Sequence, residues 1–203
     1  MKIKPKKSLG QNFLIDKNII KKIIETEHIN SDDFILEIGP GTGNLTESIL
    51  NKKPKKIFVI EKDERLVNLL SERFKNQITI INEDILKISE HLISNDELIV
   101  FGNLPYNIST QILSKWIISA YNKKWYKSLI LMFQKEVANR ILAKTNSKNY
   151  GRLTILSNWK LNVEKVFDIS AFCFSPKPKV ESSLLKFTPK KKILKSKMQK
   201  ISK

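Results

Sequence analysis

Hydrophobic positions along this chain switch repeatedly between two spacings. After Asp16, whose carboxylate suits a helix start, Ile19, Ile20, Ile23 and Ile24 recur at helical intervals while Lys21, Lys22 and Glu25 turn outward. This predicts an amphipathic helix. Residues 34–38 (FILEI) form a short, almost unbroken apolar run ending at Gly39, which reads as a buried strand. The alternation then repeats: a helix over 44–53, a strand over 56–60, a helix whose buried face is Leu66, Leu69, Leu70 and Phe74, and strands over 78–81 and 98–101. A helix over 108–121, a strand over 129–133 and a helix through Val137, Ile141 and Leu142 come next. Strand-like stretches at 163–169 and 180–187, separated by a turn with Pro176 and Pro178, close the pattern. Strands alternating with helices predict an α/β fold with a largely parallel sheet. Short apolar strands without strict alternation predict helices on both of its faces.

Composition removes several function classes. The 203 residues, 41% of them hydrophobic, suit one domain with a proper core. One cysteine, Cys173, excludes an intramolecular disulfide and a Cys-based zinc cluster, and His28 and His91 stand far apart; no metal is expected. No apolar run approaches the roughly 18 residues of a membrane span. The basic N-terminus lacks the apolar core of a secretory signal, so a soluble, cytoplasmic chain without membrane contact is expected. The net charge is +17 and uneven: residues 1–7 carry four Lys and residues 186–203 carry eight, with no acid in either stretch. Basic ends suit a polyanion, most simply nucleic acid. Only four of the 37 basic residues are Arg, so part of this bias is compositional.

The first strand runs into Glu37-Ile38-Gly39-Pro40-Gly41-Thr42-Gly43. A glycine turn between strand and helix lets a ligand approach the backbone closely. A dinucleotide fingerprint needs a further glycine at 44, where Asn44 stands. The Glu-x-Gly-x-Gly-x-Gly spacing instead resembles the S-adenosylmethionine motif of Rossmann-like methyltransferases. The second strand ends in Glu61, 18 residues past Gly43, where an acid can accept ribose hydroxyls. The third leads to Asp84, placed for an adenine amino group. A lone glycine loop would read as a tight turn; acids at two successive strand ends make it a ligand site.

After the fourth strand comes Asn103-Leu104-Pro105-Tyr106-Asn107-Ile108-Ser109. The Asn-Leu-Pro-Tyr run resembles the catalytic signature of amino-methyltransferases acting on adenine N6. An exocyclic amine is a poor nucleophile because its lone pair is delocalised into the ring. Accepting its two protons, at the Asn103 side-chain oxygen and the Leu104 carbonyl, draws the nitrogen toward tetrahedral geometry. Pro105 fixes the turn, and Tyr106 offers a ring on which a flipped-out base can stack.

Four segments together resemble the KsgA-type family of small-subunit ribosomal RNA adenine N6,N6-dimethyltransferases, cousins of the erythromycin-resistance methylases. They are 7–14 (KSLGQNFL), the glycine loop, 103–109 (NLPYNIS) and 174–182 (FSPKPKVES), with support from 134–138, Arg140 and 150–153. The resemblance implies a Rossmann-like class I methyltransferase with a mostly parallel seven-stranded sheet. It implies methyl transfer from S-adenosylmethionine to two adjacent adenosines near the 3′ end of small-subunit RNA, by a monomer. Carried over by position, Asn12, Leu14, Gly39 and Gly41 line the donor pocket, Glu61 holds the ribose, Asp84 the adenine and Asn103 the reacting face. Phe174 is expected to sandwich the target base opposite Tyr106. Cys173 beside it reads as a small buried hydrophobe rather than a nucleophile. Residues 1–188 are expected to form the catalytic domain, with 1–15 as a donor- and RNA-contacting segment. Residues 189–203 are expected to be a Lys-rich tail, with the family's helical C-terminal domain largely absent. Two other readings stay open: methylation of large-subunit RNA, and a ribosome-assembly factor that kept the fold without the chemistry.

Overall fold

The computed structural model describes residues 3–120 and 124–190. A two-residue strand, β1 (Phe13–Leu14), leads into α1 (Lys17–Ile24). Asp16 caps α1, accepting hydrogen bonds from the N–H groups of Asn18 and Ile19 that a helix start would otherwise leave unpaired. Successive units follow: β2 (Phe34–Ile38), α2 (Asn44–Leu50), β3 (Lys56–Ile60), α3 (Glu64–Phe74) and β4 (Thr79–Ile81). Then come β5 (Leu98–Gly102), α4 (Ser109–Ser119), β6 (Tyr126–Gln134), α5 (Lys135–Ile141) and α6 (Arg152–Lys160). The last elements are β7 (Leu161–Ile169), β8 (Phe174–Ser175) and β9 (Ser182–Pro189).

Seven strands form one sheet in the order β4-β3-β2-β5-β6-β9-β7. Strands β2 to β6 are parallel, and β9 runs antiparallel between β6 and β7. Residues alternate in destination along each central strand. Ile35, Ile57, Val59, Ile99 and Ile130 join one apolar cluster with α1, α2 and α3. Leu36, Phe58, Val100, Leu129 and Leu131 join a second with α4 and α5. Both faces are therefore dry, which is why these strands carry unbroken apolar runs. Helices change face because strand order reverses at β2: right-handed crossovers outward to β3 and β4 put α2 and α3 on one side, and the return through β5 to β6 puts α4 on the other. The crevice at that reversal, beyond the carboxyl ends of β2 and β5, is where such sheets take ligands.

Several elements depart from the sequence reading. The helix expected over 44–53 stops at Leu50, since Lys53 is left-handed (φ 54°) and precedes Pro54, which disfavours helix. α6 was not foreseen. It inverts the usual polarity, burying Thr154 and Ser157 while leaving Ile155 and Trp159 exposed. Buried Thr154 and the more exposed Asn158 have a use: Thr154 Oγ1 and Asn158 Nδ2 donate to the Arg140 and Ile141 carbonyls, which the end of α5 would otherwise leave unpaired. The β1–β8 ladder, pairing Leu14 with Phe174 and Phe13 with Ser175, was also unforeseen, and it joins the first and last sequence motifs. Tyr121 and the expected Lys-rich tail from 191 onward lie outside the described residues. Among the described residues no helix is long and apolar enough to cross a membrane.

The β4–β5 connection is fastened by one buried carboxylate. Glu90, 1% exposed, accepts hydrogen bonds from Lys115 Nζ and Trp116 Nε1 of α4, both at 2.6 Å. Lys115 also donates to the carbonyls of Ile85 and Ile88. Removing one partner of such a group leaves the others desolvated and unpaired. Glu90→Ala should therefore lower stability in urea melts by roughly 3 kcal/mol, and Glu90→Gln by less because its amide oxygen still accepts. A loss for Glu90→Ala below about 1 kcal/mol, the range of exposed pairs, would contradict this account.

Candidate active site

A cavity of about 210 Å³ occupies the crevice beyond β2 and β5. Asn12, Leu14, Gly39, Gly41, Glu61 and Asp84 all line it, and so do Asn103, Leu104, Pro105 and Tyr106. The chain needs glycine on the cavity floor. At Gly39 (φ 65°) a Cβ would stand 3.2 Å from the Asn103 carbonyl oxygen, and at Gly41 (φ 57°) 2.8 Å from Phe13 Cδ1. Left-handed backbone and close neighbours both exclude a side chain there. Asn44 takes the place where a dinucleotide loop has glycine. Its Nδ2 donates to the Leu14 carbonyl at 2.9 Å, tying β1 to the start of α2.

The acids differ in environment. Glu61, 8% exposed, accepts hydrogen bonds at Oε1 from the N–H groups of Lys62 and Asp63, both at 2.9 Å. Burial pushes its pKa up, against the pull of backbone donors at Asp63, Lys62 and Gly41, and the side chain lines the cavity. Asp84 pairs with Lys62 Nζ at 2.7 Å and accepts from the Leu86 N–H, and the lysine holds its carboxyl low. Asp63 was not singled out from sequence. It is 3% exposed and binds Gln11 Nε2 at 2.9 Å and the Arg65 guanidinium at 2.6 Å. Gln11 in turn accepts from the Lys6 N–H at 2.7 Å. Asp63 thus fastens the N-terminal segment as a wall of the cavity.

The loop after β5 is held from two sides. Asn103 Nδ2 donates to the Asn12 carbonyl at 2.8 Å. That bond orients the carboxamide and leaves Oδ1 as an acceptor. The Tyr106 hydroxyl and Ser182 Oγ are 2.6 Å apart, so the start of β9 pins the tyrosine ring. The Ile108 N–H and the Ser109 hydroxyl close the turn onto the carbonyls of Pro105 and Tyr106. Phe174 is not brought to this group. It is 2% exposed, laddered to Leu14, packed in the α1–α3 cluster and absent from the cavity lining. The expected sandwich of Phe174 opposite Tyr106 is thus not the arrangement found, because the β1–β8 ladder turns that ring into the core. Cys173 is buried, with its thiol pushed up by burial, consistent with a packing role.

A family model described as ribosomal RNA adenine dimethylase matches residues 2–201. A ribosomal RNA small subunit methyltransferase A of Pelagibacter ubique (strain HTCC1062) is 59% identical over 197 residues, covering 97% of this chain and 75% of that protein. Among solved structures, a dimethyladenosine transferase from Plasmodium falciparum superposes with a TM-score of 0.78 at 36% identity, over 87% of this chain and 63% of that one. The 23S rRNA methyltransferase ErmE gives 0.75 at 26% identity, over 90% of this chain and 72% of that one. The chain therefore spans about three quarters of the first relative's length and less than two thirds of the Plasmodium chain.

One buried acid gives the fold a distinct pH response. Glu37, 1% exposed on β2, accepts a hydrogen bond from Thr46 Oγ1 at 2.7 Å. Burial pushes its pKa up to about 8, with the nearby Glu61 charge adding to the rise. Below about pH 4.5 the group is protonated in folded and unfolded chains alike. As pH rises from there toward 8, the unfolded chain ionises it and the folded chain does not, so stability falls across that window. By pH 7 the loss is of order 3 kcal/mol. Glu37→Gln keeps an acceptor for Thr46 and should flatten that fall, read from urea melts of the ligand-free protein between pH 5 and 7.5. Parallel pH profiles for the two proteins would show that Glu37 ionises freely in the fold.

Proposed function

The chain belongs to the ribosomal RNA adenine dimethylase family, and from that premise we propose that it transfers methyl groups from S-adenosylmethionine to N6 of two adjacent adenosines near the 3′ end of small-subunit ribosomal RNA. Each becomes N6,N6-dimethyladenosine, in the cytoplasm, during ribosome biogenesis. The small subunit is favoured over the large by 59% identity to a small-subunit methyltransferase against 26% to ErmE. The observation that carries the chemistry is the Asn103 carboxamide, anchored through Nδ2 with Oδ1 free to accept. A non-catalytic reading leaves that arrangement without a use.

In this reading the cavity fits the methyl donor by the chemistry of its lining. Gly39 and Gly41 admit a ligand against bare backbone, and the Glu61 carboxylate at the cavity wall accepts ribose hydroxyls. Asp84 takes the adenine edge, sharing its carboxylate with Lys62. When bound, the donor supplies an electrophilic methyl group on a sulfonium. Asn103 Oδ1 and the Leu104 carbonyl accept the two protons of the target amine, concentrating its lone pair on nitrogen. The Tyr106 ring, held by Ser182, supports the flipped base. After transfer the nitrogen sheds one proton to water, so no base need act before attack.

Asn103→Ala separates binding from chemistry, because its oxygen matters most as the amine changes geometry. The variant should keep the thermal shift that S-adenosylmethionine, and not NAD, gives the parent chain. At a hundredfold excess over Kd that shift corresponds to roughly 2.7 kcal/mol. Methyl transfer to small-subunit particles should fall by roughly 10²-fold or more. A variant that transfers at the parental rate, or a parent stabilised only by NAD, would sink the assignment.

A further inference from the structure

A second cavity, of about 370 Å³ and more open to solvent, adjoins the first. Four of its five lining residues, Gly10, Asn12, Tyr106 and Asn107, also line the donor cavity. The fifth, Gln134, belongs to the second alone. It ends β6 and stands opposite Ser182 in the β6–β9 ladder, and Ser182 is the residue that holds the Tyr106 hydroxyl. Gln134 and the Tyr106 ring are thus fixed to one wall by one serine. The Gln134 side chain is spent on nothing else. It precedes α5 without capping it, and among the described residues its amide makes no hydrogen bond. Gln11, Asn44 and Asn103 are engaged with Asp63, Leu14 and Asn12, and the amide of Asn107, shared by both cavities, lies out at the exposed rim. At the wall of an open cavity, an amide with no protein partner is free to meet a polar ligand.

We propose that Gln134 reads the acceptor base, its Nε2–H donating to a ring nitrogen of the target adenine, and so sets specificity for adenine. This rests on the function proposed above. The direction of the bond follows from what adenine has left. Both amine protons are claimed by Asn103 Oδ1 and the Leu104 carbonyl, and the remaining polar atoms of the base, N1, N3 and N7, only accept. N1 and N7 flank the reacting amine. At N1 guanine carries a proton, so a donor there rejects guanine as well as welcoming adenine. A side-chain amide on adenine is a recurrent pairing elsewhere, worth severalfold to a hundredfold in discrimination.

The test pairs protein and substrate changes. Small-subunit RNA is ligated from a synthetic 3′ fragment carrying adenosine, 1-deazaadenosine or 7-deazaadenosine at the target position, then assembled and methylated. The parent chain should transfer to adenosine and lose roughly tenfold with one analogue. Gln134→Ala should show a similar loss on adenosine, unchanged affinity for S-adenosylmethionine, and no further loss with that analogue. Gln134→Glu, which has no amide donor, should behave likewise and guards against a folding defect peculiar to alanine. Losses that multiply for both analogues, or variants as fast as the parent on adenosine, would overturn the assignment of Gln134 while leaving the proposed function intact. No transfer by the parent to adenosine would overturn both.

Discussion

The hydrogen bond from Asn103 Nδ2 to the Asn12 carbonyl is the contact on which the site depends. A carboxamide free to rotate would present donor or acceptor to a substrate amine by turns; anchored through its nitrogen, it presents only oxygen. The anchor is backbone from the N-terminal segment, so that segment must itself be immobile. The contacts that hold it include the β1–β8 ladder, Asn44 Nδ2 donating to the Leu14 carbonyl, and Gln11 donating to Asp63. Each comes from a different part of the chain. The sheet matters to the chemistry because β2, β3 and β5 finish on one rim, where the separate β1–β8 ladder also lies.

The same wall serves both cavities. Asn12 and Tyr106 line both cavities, which in the proposed reading sets methyl donor and acceptor base against one wall. Around the donor side the acids are graded. Glu37 and Glu61 are buried and raised, whereas Asp84 stays low beside Lys62 near solvent. In the proposed reading a cationic donor enters beside Glu37 and Glu61, which hold protons more tightly than usual. Its arrival therefore favours their ionised forms, and binding and protonation are coupled there.

Much of this was legible in sequence because period and spacing are physical. Strands β2 and β3 stand at the residues their apolar runs marked, and the acids at their ends face the cavity because parallel strands finish on one rim. What spacing does not encode is which way a side chain turns once distant segments pair. Phe174 carried the aromatic character for stacking, yet pairing with Leu14 sends it inward. α6 was invisible to hydrophobic periodicity because Thr154 and Ser157 are buried while Ile155 and Trp159 are exposed, and the value of Thr154 lies in the Arg140 carbonyl it meets. Asp63 gave no signal for a related reason: its partner Gln11 is far away in the chain; Gln134 stood within the 134–138 match but with no role attached. Asp63 could have drawn notice only as an acid two residues after Glu61.

The central claim, that this fold dimethylates adjacent adenosines of small-subunit RNA, is tested most directly by primer extension. Small-subunit particles lacking the modification are incubated with the purified chain and S-adenosylmethionine, and the RNA is copied by reverse transcriptase. Dimethyladenosine has no amino proton for pairing and stops the polymerase. The account predicts a donor-dependent stop at two adjacent adenosines near the RNA 3′ end. Read-through at those adenosines, or a stop appearing only in large-subunit RNA treated alongside, would contradict it.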